Sequence, residues 1–166
     1  MAQVSLRDRL QADVIAAMRS GDSLRRDVLR MALNTAYNQE KRTRAPLSED
    51  DVIAVVSREV KTRRESIEAF QKGGREDLAT KERAEVAILQ EYLPEALSDQ
   101  ELRALVDEAV ASTGASSARD LGKVMGWLSP KTRGRADGRR VAELVAQALA
   151  RADLAGHDAA EPRRTG

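Results

Sequence analysis

The chain has no cysteine and a single histidine, His157, so disulfide staples, thiolate metal sites and histidine-based acid–base catalysis have no residues to build them. Aromatic residues are equally scarce. Tyr37, Phe70, Tyr92 and Trp127 make up 2% of the 166 residues, too few for the stacked-base platforms of single-stranded nucleic-acid binders. No apolar run is long enough for a membrane span, and residues 1–20 alternate charge with hydrophobe instead of showing a signal-like core. A cytoplasmic protein is the expectation that follows. Strand-like alternation is missing throughout, which leaves an all-α fold without a sheet.

What is present is helical spacing punctuated by caps. Leu6, Leu10, Val14 and Met18 recur every fourth residue, with Ser5 as N-cap and Gly21 as stop. Asp22 or Ser23 caps a second helix carrying Leu24, Val28, Leu29, Leu33, Ala36 and Tyr37, and the short connection predicts an antiparallel hairpin. That helix runs into KRTR, Lys41 to Arg44, with three cations. After Pro46, Ser48 and Asp51 form a capping box for a long helix with Val52, Ile53, Val56, Val60, Ile67 and Phe70 inward. Gly73 and Gly74 end it, and a fourth helix runs through Leu78, Val86, Leu89 and Leu93 to Pro94.

Beyond Pro94 the elements shorten, so the expected organisation is an N-terminal helical domain over 1–94, a three-helix domain over 95–152 and a flexible tail over 153–166. Ser98 and Glu101 box the first short helix, which carries Leu102, Leu105, Val106, Ala109 and Val110 and stops at Gly114. Ser117 and Asp120 repeat the device before a helix holding Leu121, Val124, Met125 and Leu128, which Pro130 is expected to close. Asp137 caps the last helix, with Val141, Leu144, Val145, Ala148 and Leu149 on its buried face.

The charge is unevenly spread. Between Arg119 and Arg140 seven cations (Arg119, Lys123, Lys131, Arg133, Arg135, Arg139, Arg140) face two acids, while the whole chain balances at +1. Like charges this close repel unless an anion neutralises them, and phosphate is the natural candidate. Residues 95–110 carry five acids against Arg103, so this domain is expected to be anionic at one end and cationic at the other. Elsewhere the charges have neighbours to offset them. Arg25, Arg26, Arg30, Lys61, Arg63 and Arg64 lie among Asp22, Asp27, Glu59, Glu65 and Glu68 and read as a neutral solvated surface. Glu82, Glu85 and Glu91 have no histidine beside them and alternate with Lys81 and Arg83, which reads as an ion-paired face with no metal site. Gly122, Gly126, Gly134 and Gly138 match no phosphate-loop spacing; the first pair would admit a neighbouring helix and the second pair positive-φ turns. Neither catalytic residues nor a cofactor site can be read.

The helix pair SREVKTRRESIEAFQKGGREDLATKERAEVAILQEYLPEALSDQEL from Ser57, together with GKVMGWLSPKTRGRADG, resembles the GatB/YqeY family over about Leu6 to Ala150. Its specific pieces are YLP at Tyr92 to Pro94 and GK followed by GRADG. The resemblance implies a two-part helical fold related to the tail domain of the B subunit of the glutamine-dependent tRNA amidotransferase, a domain also appended to some glutaminyl-tRNA synthetases and associated with holding tRNA. On that basis the expectation is a tRNA-binding accessory module with Lys123, Lys131, Arg133, Arg135, Arg139 and Arg140 as phosphate contacts, the side chains of Arg133, Arg135 and Arg139 being exposed. Tail-domain function also leaves two other readings open. One is membership of a carbon–nitrogen ligase complex with glutamine as amide donor, its catalysis residing in subunits this chain does not contain. The other is a helical protein–protein adaptor.

Overall fold

Local chemistry sets where each helix begins and ends in the computed structural model, which describes residues 4–160. Seven α-helices follow one another: α1 Leu6–Ser20, α2 Ser23–Thr43, α3 Glu49–Lys72, α4 Glu76–Gln90, α5 Asp99–Thr113, α6 Leu121–Thr132 and α7 Gly138–Ala160, with a 3-10 turn at Ala118–Asp120 before α6. No strand occurs among the described residues, so the fold is all-α. The Ser5 hydroxyl accepts the Asp8 N–H at 3.1 Å, and the Asp22 carboxylate accepts that of Arg25 at 3.0 Å. All three expected boxes form, at Ser48 with Asp51, at Ser98 with Glu101 and at Ser117 with Asp120, whose carboxylate accepts the Ser117 N–H at 3.2 Å. Each such cap stabilises its helix by roughly 1 kcal/mol. Gly21 stops α1 with φ at 76°, a conformation that a side chain would strain.

The chain divides into two compact units, Met1–Pro94 and Glu95–Gly166. In the first, α1 lies on α2 and α3 on α4, and the pairs meet through α2 against α3 and α4 and α1 against α3. Leu10, Leu29, Val56 and Leu89 are at its centre, each 2% exposed or less. In the second unit α5, α6 and α7 enclose Leu102, Val106, Val124, Leu128, Val145 and Leu149.

Several inward positions differ from the spacing. Met18 is 57% exposed and Ala17 takes its place in the core. Four residues advance a helix by about 400°, so a strict every-fourth row drifts roughly 40° per step and has left the buried face by its fourth member. Tyr37 is exposed, with the Lys41 ammonium 5.0 Å from its ring centroid. α6 does not stop at Pro130 but runs to Thr132. A proline in the last turn forfeits only its own bond, and the turn is kept by Arg133 N–H to the Ser129 carbonyl at 3.1 Å and the Thr132 hydroxyl to that of Leu128 at 3.1 Å. Residues 153–160, expected within a flexible tail, are helical. Leu154 is 72% exposed there, so alanine-rich propensity rather than burial carries the extension through Gly156. Residues 161–166 lie outside the described part.

Polar side chains do more inside the first unit than a solvated surface requires. Arg63 is buried at 5% exposure and donates to Glu59 at 2.7 Å and Glu85 at 2.8 Å, with Glu59 also accepting from the Thr35 hydroxyl at 3.0 Å. Burial works against its charge, and the bonds to both carboxylates outweigh that, leaving its pKa raised. Arg63 and Glu85 thus belong to the interior and not to the neutral solvated faces expected of them. Tyr92 is buried too. Its hydroxyl donates to Asp13 at 2.6 Å, the Arg9 guanidinium lies 4.8 Å from its ring centroid, and Arg25 holds Glu91 with two bonds at 2.8 and 2.9 Å. The YLP motif therefore ties the end of α4 to α1, while the neighbouring Glu91 ties it to α2.

Two outcomes follow from these interior polar groups. Arg63→Ala leaves two carboxylates uncompensated and is expected to cost about 3–5 kcal/mol in urea unfolding; a loss below about 1 kcal/mol, the range of exposed pairs, would contradict the burial. Burial, then the bond to Asp13, pushes the Tyr92 phenol up to about 12. Because the folded value is raised, its contribution to stability is complete below 10.0, the ordinary value, and is lost as pH climbs through about 12. In a Tyr37→Phe background, where Tyr92 is the only tyrosine, tyrosinate absorbance should rise with a midpoint near 12. A midpoint at 10.0 would remove the buried bond.

Candidate nucleic-acid interface

The six cations expected at one site stand in three different situations. Arg135 is half-buried: its guanidinium donates to the Glu95 carbonyl at 3.0 Å, and its own carbonyl accepts the Leu97 N–H at 2.8 Å. The loop after α6 is thus stitched to the segment before α5, and Gly134 with φ at 71° makes the turn. Arg140, in the first turn of α7, donates to Asp99 at 2.8 Å and to Glu143 at 3.3 Å. Asp99 also accepts from Arg103 at 2.9 Å. The bonds from Arg140 and then Arg103 hold the Asp99 carboxyl below its ordinary range. The expected separation into an anionic and a cationic end is therefore partly cancelled, because Asp99 brings the acidic segment onto the basic one. Arg139 is exposed, but its backbone N–H is held by the Asp137 carboxylate at 2.8 Å, the cap expected of Asp137. Arg135 and Arg140 are engaged within the unit, and the expectation that the Arg135 side chain is exposed is corrected, because it is half-buried against the Glu95 carbonyl.

Lys123, Lys131 and Arg133 remain. All three are exposed, and their side chains make no hydrogen bond or ion pair among the described residues. Lys123, Trp127 and Lys131 fall at i, i+4 and i+8 along one edge of α6, which makes them neighbours on successive turns. The Lys131 ammonium lies over the Trp127 ring at 4.4 Å, a cation–π contact that holds the half-buried indole on that edge. Composition alone counts Trp127 among too few aromatics; its spacing between two lysines is the signal in the sequence that marks it.

The glycines of α6 do not serve the purpose expected of them. A methyl group placed on Gly122 or Gly126 would meet nothing within 4 Å, so no helix approaches there. Both are exposed, and with Pro130 they leave a low, uncluttered solvent face beside the lysine–tryptophan row. Gly138 begins α7 and has no positive φ. Among the described residues there is no group of three or more potential metal ligands, and no helix is long and apolar enough to cross a membrane.

Comparison with known proteins adds relatives. Residues 7–149 match the family model described as YqeY-like protein. The mitochondrial protein named altered inheritance of mitochondria protein 41 of Pyrenophora tritici-repentis is 33% identical over 131 residues, spanning 77% of this chain and 71% of that one. Its namesake in Eremothecium gossypii is 38% identical over 102 residues, spanning 59% and 55%, and that of Lachancea thermotolerans is 29% identical over 149 residues, spanning 86% and 78%. These mitochondrial names overturn the expectation of a cytoplasmic protein. That expectation rested on the missing apolar signal core, which is no guide here because segments directing proteins to mitochondria are amphipathic instead.

If Asp99 restrains the local cations, Asp99→Ala should release Arg103 and Arg140 and make the protein elute from immobilised heparin at higher salt. The shift should exceed that of Glu108→Ala, an exposed acid on the same helix. Equal shifts would mean that net charge alone is being measured.

Proposed function

Since this chain belongs to the YqeY-like family, we propose that its C-terminal unit is an accessory module that docks tRNA along α6. The observation that carries the reading is the row Lys123, Trp127, Lys131, followed by Arg133, whose cations make no ion pair among the described residues. Two lysines one turn to either side of an aromatic ring suit two phosphates flanking a nucleotide, and the side-chain-poor face at Gly122 and Gly126 lets a sugar–phosphate backbone come close. Affinity in such a module comes from phosphate contacts and counterion release, and it carries little sequence discrimination. Catalysis forms no part of this reading.

Trp127 is the only tryptophan, so its fluorescence reports directly on the site. Titration with tRNA at low salt should change that emission, and Lys123→Ala/Lys131→Ala/Arg133→Ala should weaken binding while helical content is kept. The slope of log affinity against log salt should fall by about 0.9 for each phosphate that the triple variant no longer neutralises. A suitable control changes Arg26, Arg75 and Arg83, which already hold Asp27, Asp77 and Glu76. Arg25 is unsuitable because it clasps Glu91. Equal weakening by both triples would mean general charge, and no binding by the parent protein would discard tRNA and leave the adaptor reading.

A further inference from the structure

The basic segment Lys41 to Arg44 around the end of α2 has no place in the function proposed above, and it borders a groove. Thr35, Asn38, Gln39 and Arg42 from α2 and Arg58 from α3 line an open hollow of about 320 Å³ in the first unit. Four of these five side chains make no hydrogen bond or ion pair among the described residues: the guanidinium groups of Arg42 and Arg58 and the carboxamides of Asn38 and Gln39. Only Thr35 is engaged, its single O–H having the Glu59 carboxylate and the Met31 carbonyl as acceptors at 3.0 and 3.1 Å.

The nearby acids are committed elsewhere. Glu40 bonds Arg7 and the Leu47 N–H, Glu49 accepts from the Leu6 N–H, and Glu59 holds Arg63. Asp51 caps its own helix, and Asp50 bonds to neither arginine. Arg42 alone would be an ordinary cation in the last turn of a helix, where it complements the dipole. Arg58 has no such explanation. It lies well inside α3, far from either end, yet faces the same hollow without a carboxylate.

We propose that this groove binds a phosphate monoester carried on a small polar body. Two guanidinium groups supply a double positive charge that a single carboxylate would leave half-balanced, whereas a phosphate monoester near neutral pH carries about −1.5 to −2 and offers three acceptor oxygens. Guanidinium forks match that oxygen geometry better than any other side chain. The volume is at the small end of ligand sites, which run from about 300 Å³, and exceeds what a bare phosphate fills. Asn38 and Gln39, each both donor and acceptor, are placed to hydrogen-bond hydroxyl or amide groups on the rest of the ligand.

The test uses the full chain and follows the side-chain N–H signals of Arg42, Arg58, Asn38 and Gln39 by heteronuclear NMR during addition of ribose 5-phosphate. Saturable shifts are expected at all four, with smaller ones from inorganic phosphate and none from ribose. Arg42→Gln and Arg58→Gln should each raise Kd roughly tenfold, as removal of one charge-assisted hydrogen bond implies, with Arg58→Lys between the two. Both arginines are exposed, so the rest of the spectrum should be unchanged and a folding defect would be visible at once. Acetate at matched ionic strength producing equal shifts, or Arg58→Gln leaving the titration unaltered, would overturn the assignment. So would an RNA oligomer without terminal phosphates that shifts these signals more strongly than the sugar phosphate. Because Lys123, Lys131 and Arg133 are untouched, failure here leaves the tRNA reading standing, and the converse holds.

Discussion

A helical protein with four aromatic side chains must fill its interior with valine, leucine and alanine, and most of the structure follows from that constraint. Of the four, only Tyr92 is buried; Phe70 and Trp127 are half-buried and Tyr37 is exposed. Aliphatic side chains bury less area apiece than aromatic ones, so helices must approach closely to exclude water. Ala17, Ala32, Ala36 and Ala79 in the first unit and Ala109 and Ala148 in the second permit that approach, each at 6% exposure or less. Apolar burial is non-directional, and the orientation of the helix ends is left to polar ties.

Those ties are largely arginine–carboxylate bonds of long sequence range. Arg25 with Glu91, Arg63 with Glu85 and Arg140 with Asp99 each join residues more than twenty positions apart. Their burial separates their roles. Arg63 and Glu85 are shielded on both sides, so their pairing helps specify how α3 meets α4, and removing Arg63 leaves the Glu85 carboxylate without its cation, whereas Arg63 without Glu85 keeps Glu59. Arg140 and Asp99 are open to solvent, and water screens their attraction. Their effect is instead on availability, since a guanidinium held by a carboxylate competes poorly for an external phosphate.

Availability also separates the two candidate anion surfaces from the remaining charge. The chain is a third charged residues with almost no net charge, so abundance of arginine says little about binding. Cations left over after internal pairing say more. Cations without a bond among the described residues occur elsewhere too, Arg19, Arg44, Lys61 and Arg119 among them, but Lys123, Lys131 and Arg133 follow one another along α6 and Arg42 and Arg58 line one groove.

Helix positions, caps and class were legible in the sequence because they depend on interactions within a few residues. The boxes at Ser48 and Ser98, the stops at Gly21 and Gly114 and the absence of alternation require no knowledge of distant chain. Family membership was legible for a related reason, since YLP and GK followed by GRADG are contiguous strings. Side-chain partnership was not. Arg63 and Arg64 are adjacent in a run of like residues, and only helix packing decides that the first is buried against Glu85 while the second lies at the surface. The basic loop read as one site for the same reason: Arg135 and Arg140 meet the Glu95 carbonyl and Asp99 across about forty residues, a pairing that local spacing does not encode. Periodicity determines which way a side chain leaves its helix, and tertiary packing determines what it finds there.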